Sequence, residues 1–87
     1  MRIDKYLKVT RLIKRREVAK QMLNLGYISI NNKISKPSSD VSEGDIVKFN
    51  IPNKRELIIE VLEIRNSANV QKAKELYKIK GDIEQWN

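Results

Sequence analysis

Residues 15–34 read Arg15-Arg16-Glu17-Val18-Ala19-Lys20-Gln21-Met22-Leu23-Asn24-Leu25-Gly26-Tyr27-Ile28-Ser29-Ile30-Asn31-Asn32-Lys33-Ile34. Within this stretch the apolar period changes from helical to alternating. Val18, Ala19, Met22 and Leu23 recur at three- and four-residue spacing, which predicts a helix over about Arg15 to Asn24. Gly26 follows the last of them and suits the left-handed position that ends a helix. Tyr27-Ile28-Ser29-Ile30 is β-branched, aromatic and alternating, as a half-buried strand is. Asn31-Asn32 then predicts a tight turn, because Asn tolerates positive φ, and Lys33-Ile34-Ser35 returns as a short strand. A helix feeding an antiparallel hairpin is the kernel of an α+β domain.

The same pattern extends in both directions. Upstream, Ile3 and Leu7 lie four apart and predict a short helix over roughly 5–10, capped by Asp4. Downstream, Lys36-Pro37-Ser38-Ser39 is a loop, and Glu43-Gly44-Asp45 is a turn before a strand at Ile46-Val47-Lys48-Phe49. After Pro52-Asn53, Leu57 to Ile64 reads as the last strand, with Glu60 and Glu63 exposed. Val70, Ala73, Leu76 and Tyr77 then predict a terminal helix from about Asn69 to Lys80. The tail Gly81–Asn87 is expected to fray, with Trp86 a packing latch or an idle side chain. No repeat or low-complexity tract is present.

With 87 residues and 40% apolar content the chain supports one small core and no deep cleft. It has neither cysteine nor histidine. Disulfides, thiolate zinc sites, the commonest general base and the commonest metal ligand are therefore excluded. Asp40, Glu43 and Asp45 cluster, but without the ligand spacing of a calcium loop. No phosphate loop or nucleophile elbow occurs, and Ser38-Ser39 has no base beside it. The inventory points to a non-enzymatic protein with no cofactor. No apolar run is long enough for a membrane span, and the N-terminal residues lack the apolar region of a secretory signal, so a cytoplasmic protein is expected.

Charge indicates the partner. Eight of the 18 basic side chains fall in residues 1–20 (Arg2, Lys5, Lys8, Arg11, Lys14, Arg15, Arg16, Lys20), against two of the 11 acidic ones, Asp4 and Glu17. Nearly all of the net +7 is thus concentrated in the first quarter of the chain. Such a field attracts polyanions, and nucleic acid leads because each neutralised phosphate releases a counterion. A membrane surface fits less well: Tyr6 is the only aromatic there, and Leu7, Leu12, Ile13 and Val18 are needed for the core. The lysines are equally well read as a solvated face, the arginines less so, since forked guanidiniums suit bidentate phosphate contacts. Base stacking on the sheet is weakly supported, because Tyr27 and Phe49 read as core.

Arg2-Ile3-Asp4-Lys5-Tyr6-Leu7 resembles the opening of the S4-like RNA-binding domain, the alpha-L motif. The resemblance continues through Arg11, Lys14-Arg15-Arg16-Glu17-Val18-Ala19, Gly26, Ile28-Ser29-Ile30-Asn31, Lys36-Pro37-Ser38 and Gly44-Asp45-Ile46-Val47. It covers about residues 1–50 in order. Two positions depart from the pattern: Glu17 stands where a small hydroxyl residue is common, and Asn32 where Gly is. The resemblance implies two basic N-terminal helices packed on a small, mainly antiparallel sheet. With the terminal helix, it divides the chain into a domain at 1–65 and a helical extension at 66–87.

As a short stand-alone chain it is most similar to the ribosome-associated quality-control factors of this superfamily and the related small heat-shock protein. That resemblance implies binding to a large ribosomal subunit that carries peptidyl-tRNA, with contacts to rRNA and P-site tRNA. It also implies support for C-terminal tailing of the stalled chain by a partner factor. The expected RNA-binding residues are Arg2, Asp4, Lys5, Lys8, Arg11, Lys14, Arg15, Arg16, Lys20 and Lys36. Asp4 is expected to act first as a cap, and Lys36 is as readily a solvated lysine. A monomer is the default. The rival readings are a general rRNA-binding or assembly protein, and a protein-interaction module that docks through the 66–87 helix.

Overall fold

The computed structural model describes residues 1–82. Its elements run α1 (Ile3–Val9), α2 (Arg16–Asn24), β1 (Ile28–Ile30), β2 (Lys33–Ile34), β3 (Ile46–Phe49), β4 (Leu57–Val61), α3 (Val70–Ala73) and β5 (Tyr77–Asp82). The strands form one antiparallel sheet in the order β2-β1-β3-β4-β5.

The signals that end α2 and turn the hairpin act as expected. Gly26 has φ +83. Its amide donates to the Leu23 carbonyl and that of Tyr27 to Met22, the paired bonds that close a helix through a left-handed glycine. Asn31 and Asn32 have φ +50 and +69, the two positive values of a two-residue hairpin turn, which sets Ile30 opposite Lys33. Asp45 fastens this hairpin tip to β3. Its carboxylate accepts from the Asn31 side-chain amide (3.1 Å) and the Ser42 backbone amide (2.8 Å), so within that acidic cluster it is a turn-builder.

One sheet face and the helix pair enclose the core. Val47 and Phe49 on β3, Ile59 and Val61 on β4 and Ile28 on β1 alternate inward. They meet Ile3, Tyr6 and Leu7 of α1 and Ala19 and Leu23 of α2, with Val41 from the long loop. Leu12, Ile13 and Met22 pack at the edge, and Val18 is only half-buried.

The C-terminal part differs from expectation. The helix expected over about 69–80 is confined to Val70–Ala73, and Tyr77–Asp82 is a strand paired with β4. β4 is therefore not the last strand, Gly81 and Asp82 belong to β5, and the rest of the tail expected to fray, residues 83–87, lies outside the described residues. Apolar spacing at Val70, Ala73, Leu76 and Tyr77 fits a helix, but unpaired hydrogen-bonding groups on β4 offered a stronger partner than local helical bonds. Pairing steps from Ile58–Gly81 to Ile59–Ile79, so Lys80 is the extra residue of a bulge. The Tyr6 hydroxyl donates to the Leu76 carbonyl (2.9 Å), which also accepts from the amides of Leu62 and Glu63. Burial pushes the Tyr6 phenol well above its ordinary pKa. Trp86 lies outside the described residues.

Candidate nucleic-acid interface

Asp4 organises the first turn of α1. It is not the cap: Arg2 holds that position in extended conformation, and Asp4 is the second helical residue. The helix amides are served instead by the loop, with Ile3 donating to the Ser39 carbonyl (2.8 Å) and Asp4 to Pro37 (3.3 Å). These contacts free the Asp4 carboxylate for other partners, although its Oδ1 still accepts from the Lys5 amide at 2.8 Å. Arg2 donates to it from Nε (3.2 Å) and Nη2 (3.1 Å), and Arg16 from Nη2 (3.3 Å). Arg16 Nε lies 3.3 Å from Oδ2 but is misaligned, so it contributes charge without a hydrogen bond.

Asp4 has no exposed surface, whereas the Arg2 and Arg16 side chains are 49% and 35% exposed. The carboxylate is thus roofed by a single layer of guanidinium. Burial pushes its pKa up, but the hydrogen bonds from Arg16 and Arg2, the Arg16 charge and the Lys5 amide outweigh that and hold it below the ordinary carboxylate value. Asp4 therefore offers no surface of its own in this fold. It fixes two partly exposed arginines.

The other expected residues fall into two groups around α1. Arg15 caps α2 by its backbone and is exposed, and half-buried Lys20 lies one turn beyond Arg16. With Arg2 and Arg16 they make a basic face at the start of both helices. The Lys36–Ser39 turn rests against the first turn of α1 through the loop bonds above, which brings the exposed Lys36 to this end. Glu17 is exposed in the first turn of α2; the carboxylate that orients Arg16 is Asp4, not Glu17.

At the opposite end of α1, Lys8, Arg11 and Lys14 line a groove of about 530 Å³ whose far wall is Asn66, Ser67, Ala68 and Val70. Arg11 Nη1 donates across it to the Ala68 carbonyl (2.8 Å), and Lys5 Nζ donates to Asn66 Oδ1 (3.2 Å). Residues 66–70 were not legible as part of a site, since Asn66-Ser67 signals only a turn. Nearby positive charges are spoken for: Glu63 pairs with Arg65 and with Lys72 (3.2 Å). Among the described residues no helix is long and apolar enough to cross a membrane.

A family model described as "S4 domain" matches residues 1–47. The chain is 43% identical over 79 residues to the RQC P-site tRNA stabilizing factor of Streptococcus pneumoniae, covering 91% of this chain and 89% of that one. It is 42% identical to the factor of the same name from Bacillus subtilis, covering 91% of each. Among solved structures, the trimeric structure of Vibrio cholerae Heat Shock Protein 15 superposes with a TM-score of 0.84 at 27% identity, covering 92% of this chain and 81% of that one.

Proposed function

The chain belongs to the S4 domain family and to the RQC P-site tRNA stabilizing factors within it, and from that premise we propose that it binds RNA on a large ribosomal subunit carrying peptidyl-tRNA. There it contacts rRNA and the P-site tRNA and supports C-terminal tailing of the stalled chain by a partner factor. It acts in the cytoplasm as a monomeric binding factor, not as a catalyst. The similarity to factors of that name along 91% of the chain carries this reading. The two basic clusters at opposite ends of α1 are consistent with a protein that bridges two RNA surfaces. Residues 1–65 supply the cationic contacts, and the extension from residue 66 onward supplies the second wall of the groove.

A-form RNA offers side chains no readable major groove, so recognition rests on backbone and shape. Arg2 and Arg16, held by Asp4, present guanidinium edges to phosphates, while Lys8, Lys14, Lys20 and Lys36 add less directional attraction. If about five phosphates are neutralised, log affinity falls with log salt at a slope of roughly −4.

Sedimentation of tagged protein from cells, with sequencing of the RNA that co-purifies, tests the reading. Recovery on free large subunits carrying tRNA, far below one copy per ribosome, is expected. The double substitution Arg15→Glu with Lys20→Glu, at two side chains without structural pairing to Asp4, is expected to release it. One copy on every ribosome would instead indicate an integral rRNA-binding protein. Binding that survives nuclease and high salt would indicate a protein-docking module.

A further inference from the structure

We propose that the groove between the end of α1 and residues 66–70 is a pocket for one unpaired nucleotide, splayed out of the RNA that the basic faces hold. This rests on the RNA-binding reading above and adds which part of the RNA is gripped. The groove combines features that a phosphate-tracking surface does not need. Its volume of about 530 Å³ falls within the range of small-molecule sites, and it opens to solvent on one side. Its polar wall carries three cations, Lys8, Arg11 and Lys14, and among the described residues no carboxylate lines it. Its apolar part is Val9, Ala68 and Val70, and Val70 is 60% exposed, an apolar surface beside cations. A nucleotide has the matching parts: a phosphate for the lysines and a flat base for the apolar wall.

Arg11 supplies the second argument. Its φ of +61 is the left-handed conformation that follows the end of α1, as Gly26 follows α2, here on a non-glycine residue. The turn is held by its amide on the Lys8 carbonyl (3.0 Å), and its guanidinium is pinned by the Ala68 carbonyl at 2.8 Å. A free phosphate-gripping arginine needs neither constraint. A guanidinium plane fixed across a groove is a ready surface for a base to stack upon, as splayed bases in RNA complexes do on arginine. The helix end below and the Ala68 carbonyl above fix this arginine across the two walls, so the site is shaped in advance.

The test uses three RNA hairpins with the same stem: one fully paired, one with a single bulged adenosine, and one with an abasic site in place of that adenosine. The intact protein is expected to bind the bulged hairpin about tenfold tighter than the paired one, as one stacked base contributes. The abasic hairpin, which keeps the extra phosphate, is expected to match the paired one within about twofold. Val70→Ser removes apolar surface without adding charge at an exposed position, and should erase the bulge preference while leaving the paired hairpin bound as before. Equal affinity for all three hairpins would overturn the nucleotide pocket and leave RNA binding standing. Failure to bind any of them at low salt would overturn both. Displacement of the bulged hairpin by hexaglutamate, with no dependence on the base, would make the groove a docking site for an acidic peptide and also overturn the proposal.

Discussion

Replacing Asp4 with asparagine keeps the shape of the side chain and removes the charge on which two arginines converge. The structure sets the size of the effect. The carboxylate accepts three hydrogen bonds from guanidinium groups and one from the Lys5 amide, and is fully covered. Losing one member of a deeply buried ion pair costs about 3–5 kcal/mol. Here the arginines are a third to a half exposed and regain water when released, so most of that penalty is recovered. The expected loss is about 1–2 kcal/mol at neutral pH, read by urea denaturation. Because the folded pKa of Asp4 is depressed, its contribution is present above the unfolded carboxylate value near 3.8 and disappears as pH falls through the folded one. The two proteins should therefore differ at about pH 7 and converge only once pH has fallen below the depressed folded value. An Asp4→Asn protein as stable as the parent at neutral pH, with the same acid profile, would refute the claim that this carboxylate holds Arg2 and Arg16.

Three further outcomes are expected. Tyr6→Phe leaves the Leu76 carbonyl two amide donors but removes a buried hydroxyl bond, costing about 1 kcal/mol by chemical denaturation. Because burial raises the Tyr6 pKa, the parent keeps this contribution below the unfolded tyrosine value and loses it as pH rises through the folded one, whereas Tyr6→Phe shows no such alkaline loss. Gly26→Ala should cost about 1–2 kcal/mol in thermal or urea unfolding: a methyl there meets only Ile34 Cγ2 at 3.7 Å, so the penalty is the left-handed backbone and not a clash.

The parts of the fold legible in the sequence are those fixed by neighbours along the chain. Gly26 closing α2, Asn31-Asn32 turning the hairpin and the alternation at Ile46–Phe49 each act within a few residues. Strand β5 was missed because Tyr77-Lys78-Ile79-Lys80, although it alternates, follows apolar residues at helical spacing, and pairing with β4 some twenty residues upstream decides between the two. The site shows the same division. Composition located the basic first quarter, with eight cations in residues 1–20. Asp4, however, looks like a cap to any local rule. Only the carbonyls of Pro37 and Ser39, more than thirty residues away, relieve it of that work and turn it toward the arginines. The groove is less legible still, since its two walls meet only once the C-terminal segment folds back.

That return has a consequence for a chain emerging from a ribosome. The Leu76 carbonyl joins α1, the end of β4 and the approach to β5, and its bond to Tyr6 spans 70 positions of sequence. A nascent chain that has exposed its basic helices still lacks this clasp, the outermost strand and one wall of the groove. Closure of the loop comes last and cannot precede synthesis of Leu76 and its exit from the tunnel. The cationic N-terminal quarter therefore leaves the ribosome well before its supporting sheet is complete. A molecule whose charge is made first and whose scaffold is made last completes its binding surface only after residues 70 positions beyond Tyr6 have been made and have left the tunnel.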